Sequence, residues 1–395
     1  MWIARGVEPK LKGLSRSFPA VLLTGARQTG KTSLLRHAFP KAEYVSLDLP
    51  SIASQAESDP EEFLGRWKGP VVLDEVQYAP ALFRSLKAAI DRNRHAMGRY
   101  LMTGSQKFVL MKELPESLAG RCALLELDTL SAAEVQGLSS GKPPSLLHFL
   151  WRGGFPELYR NRRLKPADFF SAYVAAYLER DVRALLRVGN LRDFERFLRA
   201  CALRSGQLLN LTDLARDIGI AGTTARDWIS VLEASNQLAL LEPYHGSYGK
   251  RLIKTPKLYF LDTGLLCFLL GLDSPEGIQR SLFTGALWET FALNQIWRAR
   301  MASGSAAQIY FWRDARGKEV DFVIEHQGRL RLVEAKWAEE VNDSRVFEAM
   351  DAVRSLLGKR AAAEHWVVCR TPNDHLLPGR PGIRVINGYR FLNWF

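Results

Sequence analysis

The stretch Gly25-Ala26-Arg27-Gln28-Thr29-Gly30-Lys31-Thr32 satisfies the pattern G-x-x-x-x-G-K-[ST] and lies between the apolar run Val21-Leu22-Leu23 and the helix-compatible Ser33-Leu34-Leu35-Arg36. Strand, glycine-bearing turn and helix in that order commit the chain to an α/β layer in which backbone N–H groups close around a phosphate chain. A side chain on Gly25 or Gly30 would block that approach. Gly25 to Thr32 are expected to wrap a nucleoside triphosphate such as ATP, with Lys31 reaching the outer phosphates and Thr32 offering its hydroxyl to magnesium.

Such a site needs an acid at the end of a second buried strand, and Pro70-Val71-Val72-Leu73-Asp74-Glu75-Val76 supplies two. The apolar run predicts a strand covered on both faces of a parallel sheet. Asp74 is placed to hold magnesium through water and Glu75 to orient or deprotonate the attacking water; the bland alternative is a solvated strand end. A third strand, Tyr100-Leu101-Met102, runs into Thr103-Gly104-Ser105-Gln106, where ATPases of this class set a polar side chain that senses the γ-phosphate. Ser105 is the first choice for that role and Thr103 the reserve. Arg121 precedes a fourth apolar run, Cys122 to Leu127. It reads either as an arginine finger reaching a neighbouring subunit's nucleotide, worth about a thousandfold or more in rate, or as half of a structural salt bridge.

These motifs in this order resemble the AAA+ branch of the phosphate-loop ATPases. Together with Ser117-Leu118-Ala119-Gly120-Arg121, Gly153-Gly154-Phe155-Pro156-Glu157 and Lys257-Leu258-Tyr259-Phe260-Leu261-Asp262-Thr263-Gly264-Leu265, they resemble a prokaryotic family of AAA-type ATPases. The carboxy-terminal half of that family is catalogued as a domain of unknown function with a nuclease-like fold. The likeness extends over nearly the whole chain.

At 395 residues and 47% hydrophobic composition the chain can bury the cores of two or three domains. Its formal charge of +12 favours a polyanionic partner such as DNA. Cys122, Cys201, Cys267 and Cys369 lie far apart, so neither a disulfide framework nor a zinc site is indicated, and none of the seven histidines shows ligand spacing. The amino terminus lacks the apolar core of a signal peptide. The longest apolar stretch, Leu265 to Leu272, falls far short of the roughly twenty residues of a membrane span. A soluble, cytoplasmic protein without membrane contact is expected.

Strand and helix signals alternate up to about Glu134, and a loop-like Gly/Ser/Pro composition follows at 137–144. The expected organisation is an ATPase core at 1–140 and a helical lid at 141–204. A winged helix-turn-helix is expected at 205–270, then an α/β domain resembling the PD-(D/E)xK nuclease fold at 271–395. In the third unit Thr212 to Ile218 forms a short helix that meets a turn at Gly219. A second helix from near Thr223 buries Ala225, Trp228, Ile229 and Leu232. Arg226 faces outward, and Leu238 to Leu241 is expected to pair with Lys257 to Phe260 around a wing. Lys250, Arg251, Lys254 and Lys257 then read as a footprint on a phosphate backbone. A winged helix used only for protein contacts is the alternative.

In the last unit Glu289 sits in a helical pattern, Asp321 in a strand pattern, and Glu334-Ala335-Lys336 ends a third segment. Helix acid, strand acid and E-x-K in this order resemble the PD-(D/E)xK fold. The resemblance implies a second divalent metal held by Asp321 and Glu334, supported by Glu289, with Lys336 positioning or helping to deprotonate water. A retired site in which these residues form a buried polar network is the alternative.

The expected function is a magnesium-dependent ATPase acting on branched or damaged DNA, assembled as a homo-oligomer if Arg121 works in trans. The alternative is a nucleotide switch whose carboxy-terminal part is a non-catalytic recognition module.

Overall fold

The computed structural model describes residues 2–105, 118–138, 143–177, 191–244, 254–341, 344–391 and 394–395. The first layer is a five-stranded sheet, β1 (Ala20–Thr24), β2 (Glu43–Ser46), β3 (Val71–Asp74), β4 (Tyr100–Gly104) and β5 (Cys122–Glu126), in the order β2-β3-β4-β1-β5. Every neighbouring pair is parallel. All five residues of β1 are buried, as a strand covered on both faces requires. Alternation splits them between two cores. Val21 and Leu23 pack with Leu11, Leu34 and Leu35, whereas Ala20 and Leu22 pack with Phe83, Leu86 and Ile90. Because β1, β3 and β4 run in one direction, the phosphate loop, Asp74 and Thr103 all emerge at the same carboxyl edge of the sheet.

The helices Leu146–Arg152, Pro156–Arg160 and Pro166–Tyr177 follow, and then helix Leu191–Ala202. Two further helices, Leu211–Ile218 and Gly222–Ala234, pack with a small antiparallel sheet made of β6 (Gln207–Leu208), β7 (Leu238–Leu241) and β8 (Lys257–Phe260). Asn210 caps the first of these two helices by accepting from Thr212 and Asp213 N–H, and Gly219 ends it in the left-handed region at φ 81°. The second buries Ala225, Trp228, Ile229 and Leu232, as its spacing predicts. Phe194 and Phe197 pack edge-on to Trp228, so the helix 191–202 is held by the two helices that follow it.

Helix Thr284–Ser303 then crosses a six-stranded mixed sheet, β9 (Gln308–Arg313), β10 (Glu319–His326), β11 (Arg329–Ala335), β12 (His365–Cys369), β13 (His375–Leu376) and β14 (Ile383–Asn387), in the order β13-β14-β12-β11-β10-β9. β9, β10 and β11 form antiparallel hairpins. β12 joins β11 in parallel after the helix Ser344–Leu357. Trp288 is fully buried on the long helix, and its indole N–H donates to Val368 O at 3.0 Å. One hydrophobic cluster joins residues from Leu130 to Trp394, and a second, which includes Val320, Leu332, Phe347, Met350 and Val385, packs the helix Ser344–Leu357 against the six-stranded sheet. No helix among the described residues is long and apolar enough to cross a membrane.

Asp262 joins these layers. Its Oδ1 accepts from Gly264 and Leu265 N–H, capping the helix Thr263–Leu269, and its Oδ2 accepts from the Thr129 hydroxyl at 2.9 Å and Gly154 N–H at 2.8 Å. Gly153 is required beside it: φ is 71°, and a Cβ there would stand 2.2 Å from Asp262 Oδ1. Arg298, from the long helix, donates to Thr129 Oγ1 and Leu261 O and pairs with Asp128 at 3.3 Å. Asp262→Ala strands several buried donors at once and is expected to cost about 3 kcal/mol or more. Urea unfolding measures this, and an unchanged midpoint would refute it.

His365 makes the carboxy-terminal sheet sensitive to acid. Its Nδ1 accepts from Leu332 N–H at 3.1 Å, and burial, with Arg354 and Arg331 nearby, lowers its pKa from 6.5 to about 4. The folded state therefore resists protonation. Its stability is complete above pH 6.5 and falls as pH drops towards 4, by about 3 kcal/mol in all from this group. His365→Gln is expected to flatten that part of the pH–stability curve.

Candidate functional site

The loop after β1 carries the phosphate-binding residues with the backbone the motif demands. Gly25 (φ 141°) leaves no room for a side chain, since a Cβ would stand 2.1 Å from Leu127 O. Gly30 (φ 94°) starts the helix Lys31–Ala38. Lys31 is buried, with its ammonium donating to Gly25 O at 3.0 Å and Ala26 O at 2.8 Å inside the curve of the loop. The remaining loop residues, Arg27, Gln28 and Thr29, complete the turn, and the Thr29 hydroxyl donates to Ala26 O.

Asp74 is brought against this loop from the end of β3. Its Oδ1 accepts from the Thr32 hydroxyl at 2.7 Å and the Thr103 hydroxyl at 2.5 Å, and its Oδ2 from the Tyr44 hydroxyl at 2.8 Å. Burial and the adjacent carboxylate push Tyr44 up to about 12, which keeps it a donor at neutral pH. Thr32 and Asp74 together are a hard-oxygen pair of the kind magnesium takes. Glu75 follows in the left-handed region at φ 59°, where a non-glycine residue stores strain, and Thr103 Oγ1 holds it there by accepting its N–H at 3.0 Å. Its carboxylate accepts from Ser105 at 2.9 Å and from Gln77 at 2.5 Å. Thr103 thus supports both acids, while Ser105 touches Glu75.

The cleft in front of the loop, about 550 Å³, is lined by Lys31, Thr32 and Glu75 and also by Trp2, Arg5 and Arg160. The last three carry no sequence motif. Arg5 donates to Thr29 O at 2.7 Å and Asp128 O at 2.6 Å, bracing the loop against the segment after β5. Arg160 stands four residues beyond Pro156, so the Gly153-Gly154-Phe155-Pro156-Glu157 motif, to which the sequence assigns no task, forms a wall of this cleft. Arg121 lies elsewhere: it precedes β5 at the opposite edge of the sheet from the loop, and its guanidinium holds Asp91 through bonds of 2.7 and 2.9 Å. A role in trans would require that ion pair to open.

The second group of candidates also converges. Glu289 from the long helix, Asp321 from β10, and Glu334 and Lys336 from the end of β11 face one another, with Lys336 Nζ 2.9 Å from Glu334 and 3.6 Å from Asp321. The register of β10 against β9 shifts between Val320 and Val323, the stretch that carries Asp321. Asp321 Oδ2 also accepts from Ala335 N–H at 2.8 Å. Burial and the facing Asp321 push Glu334 well above the usual carboxylate range; against the cost of burial, Lys336 and Lys257 hold Asp321 below it. Lys336 resists burial in the same way, kept above the ordinary lysine value by Asp321 and Glu334, so in this state it is an ammonium and not a base. Glu319, passed over in the sequence, belongs to the same group. It lies two residues before Asp321, and Glu289, Glu319 and Asp321 offer oxygens within 4.8 Å of one another.

Lys257 corrects an expectation. Its side chain is 2% exposed and bonded to Glu289 and Glu319, so it cannot contact a nucleic-acid backbone. Alternation along β8 turns Lys257 and Tyr259 to the same side, and both reach Glu289. Arg226 and Lys254 are exposed, whereas Lys250 and Arg251 lie outside the described residues.

Residues 17–136 match the family model described as AAA domain. Residues 144–276 and 284–387 match two models described as domains of unknown function (DUF8612 and DUF4143). The chain is 33% identical over 328 residues to Uncharacterized protein Rv2008c of Mycobacterium tuberculosis, covering 82% of this chain and 72% of that protein. The figures are the same for Uncharacterized protein Mb2031c of Mycobacterium bovis. Among solved structures it is similar to a Walker-type ATPase of Pyrococcus abyssi, at 17% identity and a TM-score of 0.45, over 66% of this chain and 94% of that one. The chain therefore belongs to the family of these mycobacterial proteins, and its first sheet and phosphate loop form an AAA domain of the phosphate-loop ATPase type.

Proposed function

We propose that the protein is a magnesium-dependent ATPase that works on DNA, with Glu75 as the residue that positions the attacking water. The observation that carries this reading is the meeting of three segments at one sheet edge: the Thr32 hydroxyl lies 2.7 Å from Asp74, and Glu75, next in sequence, is aimed by Ser105 and Gln77. Magnesium held by Thr32 and Asp74 would neutralise charge developing on the phosphates. Gly25 to Thr32 bind the phosphate chain through backbone N–H groups, and Lys31 exchanges its loop carbonyls for phosphate oxygens.

Support for DNA as the partner comes from the charge of +12 and from the order of elements in the middle of the chain. A helix, a short strand, two helices around the Gly219 turn and the β7–β8 pair come in the order a winged helix would need, and Arg226 and Lys254 are exposed there. In the last unit, a helix acid with acids and a lysine on adjacent strands favours a PD-(D/E)xK-like site at which Glu289, Glu319, Asp321 and Glu334 would hold a divalent cation beside Lys336. The units proposed are 1–140, 141–204, 205–270 and 271–395, acting as a cytoplasmic homo-oligomer.

Lys31→Ala is expected to lose ATP binding and turnover together. Glu75→Gln is expected to retain ATP and lose roughly a hundredfold or more of the rate. Rates measured with single-stranded, duplex and four-way DNA separate the two functional readings: stimulation that vanishes in Lys31→Ala supports action on DNA, and a slow rate indifferent to every DNA supports a nucleotide switch. With labelled branched DNA and magnesium or manganese, any cleavage that belongs to this site is expected to be lost in Asp321→Ala and Lys336→Ala; cuts that persist in both variants would sink the nuclease assignment.

A further inference from the structure

The carboxylates of the last unit are met by a cation from a different sheet. Lys257 belongs to β8 of the small sheet, yet its ammonium lies 2.9 Å from Glu289 Oε1 and also bonds Glu319 Oε1. It approaches across the face of Phe311, 5.5 Å from the ring centre, and is sealed from solvent at 2% exposure. Tyr259, on the same side of β8, donates to Glu289 Oε1 at 2.5 Å. Two of the three residues whose oxygens gather within 4.8 Å are therefore already engaged by donors from β8.

We propose that Lys257 is a built-in counter-ion that locks this carboxylate site, so that a divalent cation enters only when β8 withdraws the ammonium. The proposal rests on reading the cluster as a metal site. The donor set fits such an ion, being hard oxygens from a helix and two strands. An ammonium and a metal ion compete for the same lone pairs, and both cannot occupy a space this small. Charge leads to the same conclusion. Lys257, Lys336 and Arg313 face Glu289, Glu319, Asp321 and Glu334, with Arg313 2.8 Å from Glu319. Three cations thus offset most of the charge of four carboxylates, so little net charge is left to draw in a divalent ion.

The position of the lock in the chain gives it a route of release. The strand that carries Lys257 runs directly into Asp262, which holds Gly154 at the start of the wall that faces the phosphate loop. A shift of that wall would reach the ammonium along this short, fully buried segment.

The test is manganese uptake by the full chain without nucleotide, followed by calorimetry and by the electron paramagnetic resonance of free manganese. Lys257→Met keeps the stem and removes the charge; it is expected to bind manganese at least about tenfold more tightly than the parent. The gain should vanish in Lys257→Met with Asp321→Asn. Lys257→Met with Glu319→Gln removes one charge of each sign, retains Glu289 and Asp321, and should also exceed the parent if the single variant does not fold. Parent uptake equal to that of Lys257→Met, and abolished by Asp321→Asn in both, would overturn the lock while leaving the metal site standing. Folded variants that all fail to take up manganese would overturn the metal-site reading, and the lock with it.

Discussion

The buried carboxylate of Asp262 is the constraint on which the arrangement of the layers depends. Four donors from three parts of the chain converge on it: the Thr129 hydroxyl beyond β5, the Gly154 N–H of the turn beside the cleft, and two N–H groups of the helix it caps. A carboxylate taken out of water is tolerated only when its lone pairs are satisfied, and this one reaches full satisfaction only when the first sheet, the turn and the helix are in register. Arg298 repeats the logic from the long helix by holding Thr129 and Asp128 together. The cleft wall is therefore fixed by polar contacts at its base and by the continuous apolar cluster behind it.

The two charged sites solve the cost of burial differently. At the phosphate loop Asp74 is surrounded by three hydroxyl donors, Thr32, Thr103 and Tyr44, which a ligand can rearrange at modest cost because each is neutral. In the last unit the acids are faced by full cations, Lys257 at Glu289 and Lys336 at Glu334. Such a network resists change, because removing one member leaves an uncompensated charge in a low-dielectric interior. The first network is made of neutral donors, the second of charged ones.

Local signals were legible wherever the chemistry is carried by neighbours in sequence. The glycines of the phosphate loop, the acid-ended β3, the buried face of the helix Gly222–Ala234 and the pairing of β7 with β8 all follow from short-range pattern, since alternation and helical spacing act over a few residues. Glu319 was legible too, being two residues from Asp321, but nothing local marks it as more than a strand-edge acid. Lys257 shows the limit of local reading. Beside a wing rich in cations it reads as a surface residue, and its burial is decided by Glu289 and Glu319, which lie far along the chain.

What the amino-acid order alone determined is the phosphate-binding chemistry, because that site is a contiguous backbone conformation that glycine permits and neighbouring side chains complete. It also determined the identities of the acids and lysine in the last unit, though not their relations. Only the tertiary structure decided that Trp2, Arg5 and Arg160 line the cleft, that Arg121 is engaged by Asp91, and that Lys257 points inward. Those outcomes depend on which strands lie side by side and which end of each carries a given residue, and that is set by packing of the whole chain.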